Sequence, residues 1–84
     1  MNNSILDKFG LRIKALRIEK NLTQEQFAKE CGLHKNYIGM VERGERNPSL
    51  INIDIIAKGL EISISDLMKF WVVRDFRTTR FNLI

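Results

Sequence analysis

The chain predicts an all-α fold, a compact bundle of five helices, and three observations carry that reading. Apolar residues recur at three- and four-residue steps, each apolar stretch after the first opens on a residue able to cap a helix, and period-two alternation is nearly absent. Composition agrees. With 44% hydrophobic and 29% charged residues, one proline and five glycines in 84, the chain is globular rather than disordered or collagen-like. Its length suits one domain, which excludes a two-lobed enzyme. A domain of this size buries only roughly 60–65% of its unfolded surface, so apolar residues left over from one core belong at an oligomer interface.

The first helix, about Ile5 to Lys20, carries Leu6, Phe9, Ile13 and Leu16 on one stripe. The second opens on the fullest start signature in the chain: Thr23 caps, Gln26 takes the reciprocal capping-box position, and Leu22 and Phe27 occupy the two staple positions. It ends at Cys31, with Gly32 supplying the left-handed residue that follows a helix. The third runs from about Lys35 to Arg43 and stops at Gly44, with His34 in its cap position, where a neutral imidazole can accept a backbone hydrogen bond. Glu45-Arg46-Asn47-Pro48 then breaks the pattern. Ser49 caps a fourth helix through about Leu60, with Ile53, Ile56, Ala57 and Leu60 inward, and Ser63 caps a fifth. Residues 5–70 make the expected domain, and residues 71–84 a C-terminal extension.

The helices Gln24 to Cys31 and Lys35 to Arg43, joined by a turn at Gly32 to His34, have helix-turn-helix spacing. An αα-hairpin in any bundle shares that spacing, so the side chains have to discriminate. At about 100° per residue, Ile38, Val41 and Glu42 share one side of the third helix, and Asn36, Gly39, Met40 and Arg43 share the other. The second side is odd for plain solvent, because glycine inside a helix costs about 1 kcal/mol relative to alanine and Met40 gains nothing in water. Close approach to another molecule accounts for both. Asn36 can pair bidentately with adenine, Lys35 can donate to guanine O6 and N7, and Met40 can touch a thymine methyl. Arg43 and Tyr37 suit phosphate oxygens, and Gln24, in the first turn of its helix, can present its amide and free backbone N–H groups to a phosphate. A solvated helix surface is the plain alternative.

The formal charge of +4 is unevenly spread. Residues 1–22 hold five bases against two acids, residues 23–47 four of each, residues 48–70 two against three, and residues 71–84 three against one. The excess lies at the ends, so a site in the middle works through placed side chains rather than a general positive field. Cys31, the single cysteine, allows neither an intramolecular disulfide nor a zinc cluster, and the opening Met-Asn-Asn-Ser does not read as a leader. No apolar run nears the roughly 20 residues of a membrane span. A cytoplasmic protein without metal or cofactor is expected. One histidine, one cysteine and no phosphate-binding glycine loop speak against an enzyme.

The runs Leu22-Thr23-Gln24-Glu25-Gln26-Phe27-Ala28, Gly32-Leu33-His34-Lys35-Asn36-Tyr37-Ile38 and Glu42-Arg43-Gly44-Glu45-Arg46-Asn47-Pro48-Ser49-Leu50 resemble, in order and spacing, the Xre/Cro-type helix-turn-helix family of bacterial and phage repressors. The resemblance covers roughly residues 9–70. Within the family, the Gly-Leu-His-Lys-Asn-Tyr-Ile and Glu-Arg-Gly-Glu-Arg-Asn stretches are similar to the controller proteins of restriction-modification systems. The resemblance implies a lambda-repressor-like domain that binds double-stranded DNA as a homodimer. It puts Gln24, Lys35, Asn36, Tyr37, Met40, Arg43, Arg46 and Asn47 toward DNA, so that Lys35, Asn36, Gly39 and Met40 read bases while the others hold phosphates. It also implies an inward ion pair between Arg17 and Glu42, which suits the inward position of Glu42, since an unpaired buried carboxylate is costly. Gly39 and Met40 stand where polar residues are usual, so the base sequence recognised does not carry over.

One reading helix offers a few base contacts at about 1–3 kcal/mol each, thin against the competing sites of a genome. A twofold dimer presents two such helices, about 34 Å apart, to an inverted repeat. Leu67, Met68, Phe70 and Trp71 exceed what one small core hides and form the expected self-contact, although Leu67 and Phe70 also fit the core. Beyond them Arg74, Arg77 and Arg80 interleave with Phe76 and Phe81, as in a dimer arm, a second nucleic-acid contact, a partner-binding segment or a frayed tail. The expected function is operator binding by a homodimeric regulator of controller type. Its rivals are the antitoxin of a toxin–antitoxin pair, which would add a toxin partner, and a phage-type repressor. A membrane-surface role for the first helix is disfavoured because the core needs its apolar stripe.

Overall fold

The structure, a computed structural model, describes residues 4–70, and those residues form five helices and no strand. They are α1 (Ser4–Glu19), α2 (Gln24–Cys31), α3 (Lys35–Glu42), α4 (Leu50–Gly59) and α5 (Ile64–Leu67). Helix starts follow the cap chemistry. Thr23 Oγ1 accepts from the Gln26 N–H at 3.0 Å while Gln26 Oε1 accepts from the Thr23 N–H at 2.9 Å, which closes the capping box on α2. Ser49 and Ser63 accept from the amides of Asn52 and Asp66, and His34 Nδ1 accepts from the Asn36 N–H at 3.0 Å. The turns after α2 and α3 use Gly32 and Gly44 at φ +70° and +77°. Asn21 and Glu61 take the same left-handed role at φ +60° and +61° after α1 and α4, where the sequence shows no glycine.

The core gathers Phe9 and Ile13 from α1, Phe27 and Ala28 from α2, Ile38 and Val41 from α3, and Ile56, Ala57, Leu60 and Leu67 from the C-terminal half. Leu16 and Ile53 pack at its margin. The helix α3 lies against both α1 and α2, with α4 packed on α2. That arrangement fixes which side of α3 is inward.

One crossing is closer than ordinary side chains permit. A Cβ on Gly10 of α1 would lie 2.5 Å from the Val41 carbonyl oxygen and closer still to that of Glu42, so α1 meets the backbone of α3 directly. On the other flank, a Cβ on Gly59 would come within 2.6 Å of Cys31 Sγ. Burial is the main reason, and the Glu30 charge a lesser one, that the Cys31 thiol is pushed up to about 11 and stays protonated at neutral pH.

Arg12 ties the two ends of the domain together: its Nη2 donates to the Asp66 carbonyl at 2.7 Å and its Nε to the Leu67 carbonyl at 3.3 Å, capping the end of α5. Leu67 is 0% exposed. It is a core residue, which corrects its assignment to a dimer surface: the fifth helix is held too closely against the bundle to leave it outside. Phe70 is half-buried, its ring 6.4 Å from that of Phe9, and Met68 is half-buried against the core. Trp71 and the extension over 71–84 lie outside the described residues.

Candidate nucleic-acid interface

Behind the outward surface of α3 is a buried polar network. Arg17 Nε donates to Glu42 Oε2 at 2.6 Å and Nη2 to Oε1 at 3.1 Å, while Nη1 donates to the Leu22 carbonyl at 2.7 Å. The two side chains are only 9% and 2% exposed. A carboxylate there is tolerable because charge-assisted bonds meet both of its oxygens. The network reaches the surface through Gln24, whose Nε2 donates to Glu42 Oε1 at 2.9 Å. One amide hydrogen of Gln24 is thereby used, and the second remains for an outside acceptor.

Gln24, Lys35, Asn36, Gly39, Met40 and Arg43 line one shallow concavity that runs from the start of α2 along the length of α3. Lys35, Asn36 and Arg43 are exposed, and Gln24 and Met40 half-buried. Gly39 lies on the outward side that the helical wheel gives it, yet it is not open to solvent. It is buried, because the chain's own side chains fold over it: a Cβ there would lie 3.2 Å from Arg43 Nη1 and 3.4 Å from Gln24 Oε1. The missing side chain makes a seat for Arg43 and Gln24.

Past the end of α3, Arg46 sits with its guanidinium carbon 5.9 Å from the centre of the Tyr37 ring, within cation–π reach. Tyr37 Oη accepts from Asn52 Nδ2 at 3.0 Å, so its own hydrogen stays available to a further acceptor. Asn52 was missed in the sequence because its partner lies fifteen residues away on another helix. Its only local signal is its place three residues after the Ser49 cap. Asn47 is exposed on the same connection as Arg46. Arg43 is held by Glu45, with Nε to Oε2 at 3.0 Å and Nη2 to Oε1 at 3.2 Å. That bond is the main reason the Glu45 carboxyl sits below the usual carboxylate range.

Two further exposed residues escaped sequence reading. Leu50 and Ile51, at the start of α4, are 73% and 72% exposed. They are adjacent in sequence and the most exposed of the large apolar side chains among the described residues. Among the described residues no group of three or more His, Cys, Asp or Glu side chains is placed to hold a metal, and no helix is long and apolar enough to cross a membrane.

A glycine-turned pair of short helices, the second presenting amide, ammonium and guanidinium groups to solvent, defines a class. The chain belongs to the HTH_3 helix-turn-helix family, whose model matches residues 13–67. Within that family it is similar to control protein C.BamHI of Bacillus amyloliquefaciens, 43% identical over 74 residues, which make up 87% of this chain and 91% of the relative. Its fold is similar to that of the restriction-modification controller protein C.AhdI from Aeromonas hydrophila, with TM-score 0.77 and 45% identity over 79% of this chain and all of the other. It is similar too to the controller protein C.Esp1396I, solved as a tetramer in complex with its natural 35-base-pair operator (TM-score 0.74, 36% identity, 82% of this chain and 96% of the other). These relatives are regulators, and the chain is of that class rather than an enzyme. None of them points to a toxin partner.

Proposed function

We propose that this protein is a cytoplasmic transcription regulator of the restriction-modification controller type, occupying an inverted-repeat operator in double-stranded DNA as a homodimer. The observation that carries the reading is the concavity along α3, where Lys35, Asn36 and Met40 stand beside Gln24 and Arg43; the first three suit base edges and the last two phosphates. Tyr37, Arg46 and Asn47 extend the phosphate contacts past the helix end. Gly39 would come within reach of a base only once Arg43 and Gln24, which fold over it in the free protein, turn outward to phosphates. Residues 5–70 act as one reading head. A second copy would cover Met68 and Trp71 and, on α4, the exposed Leu50 and Ile51.

Salt dependence tests the phosphate side of this reading. Each neutralised phosphate contributes about −0.9 to the slope of log affinity against log salt. Arg43→Gln should therefore weaken binding to a DNA selected from a random pool and make the slope shallower by about 0.9 per protomer. An unchanged slope would remove Arg43 from the interface.

A further inference from the structure

Arg43, a proposed phosphate contact, is already gripped by a carboxylate of its own chain. Glu45 meets it side-on with both oxygens, at 3.0 Å to Nε and 3.2 Å to Nη2, which is the two-point fork a phosphate would use. The third nitrogen, Nη1, lies over Gly39, 3.2 Å from the position a Cβ would take. So the guanidinium is folded back over the reading surface, seated on a glycine and held from beyond the helix end.

We infer that Glu45 is an intramolecular stand-in for the DNA phosphate: it occupies the fork of Arg43 in the free protein and is displaced when the surface of α3 closes on DNA. The inference rests on the interface reading above and adds a residue that works against binding. Glu45 carries no contact to DNA in this account and acts through Arg43. Because phosphate and carboxylate compete for the same nitrogens, the effect is an affinity set below what the cationic groups would otherwise reach. More protein must then accumulate before an operator is filled. Both side chains are more than half exposed, at 56% and 54%, so water and salt screen the pair and the effect is modest.

The test is a double-mutant cycle on the full chain, with equilibrium binding to one DNA selected from a random pool. Glu45→Gln should bind about two- to five-fold tighter than the parent, the range expected for releasing an exposed ion pair. The same substitution placed on Arg43→Gln should give no gain, because a residue acting through Arg43 has nothing to act on without it. Equal gains in both backgrounds would mean that Glu45 merely repels DNA, and would overturn the inference while leaving the interface intact. No change, or weaker binding, in Glu45→Gln would overturn it too, the latter showing that the carboxylate aims Arg43 at DNA. Arg43→Gln binding as tightly as the parent would instead defeat the interface reading, and the inference with it.

Discussion

Arg17→Met should lower the stability of the fold by about 3–5 kcal/mol, seen as a lower denaturant midpoint at unchanged slope. The loss comes less from the missing attraction than from what is left behind. Glu42, 2% exposed, would keep only the bond from Gln24 Nε2 and would stand as a nearly bare charge inside the protein. The Leu22 carbonyl would lose its Arg17 donor as well. A domain of this length has only about 4–13 kcal/mol in hand, so much of the chain should unfold near physiological temperature. Exchanging both members, Arg17→Met with Glu42→Leu, should recover much of the loss, since a packed apolar pair leaves no charge to solvate. A single variant that melts like the parent would show that the pair is not buried.

Gly10→Ala should destabilise by about 3 kcal/mol, the upper end of the usual cost of overpacking. Helix propensity alone argues for the opposite sign, since alanine gains about 1 kcal/mol over glycine inside a helix. The sign therefore decides between a surface glycine and a crossing. The added Cβ would meet the carbonyl oxygens of Val41 and Glu42, backbone atoms that cannot rotate aside. The helices α1 and α3 would have to separate, and the Arg17–Glu42 pair spans that separation. Chemical denaturation of the variant checks the prediction, and a midpoint equal to or above that of the parent would contradict the close crossing.

Gly10 also shows where sequence reading stops. Caps and stops are local chemistry, so Thr23, Ser49, Ser63, Gly32 and Gly44 were legible, and the inward side of α3 at Ile38, Val41 and Glu42 followed from periodicity. Nothing local distinguishes Gly10 as a crossing, Arg12 as the cap of α5, or Asn52 as the partner of Tyr37, because each is defined by a residue on another helix. Arg17 was tied to Glu42 only by family resemblance, as its periodicity gives a direction and no partner. Gly39 illustrates the same limit at the site. A helical wheel put it outward correctly in angle, yet it could not show that Arg43 and Gln24 fold across it. Likewise Asn21 and Glu61 take left-handed turns that residue type alone does not mark.

The central claim is that the exposed start of α3 reads base sequence, and Asn36 tests it most directly. DNA selected from a random pool should yield an inverted repeat that the parent prefers over unrelated DNA by at least about 10³-fold. Asn36→Ala should bind that DNA more weakly by about 1–3 kcal/mol per half-site contact and accept other bases at one symmetric position in each half-site. An Asn36→Ala protein that keeps the affinity and the base preference of the parent would show that sequence is read elsewhere.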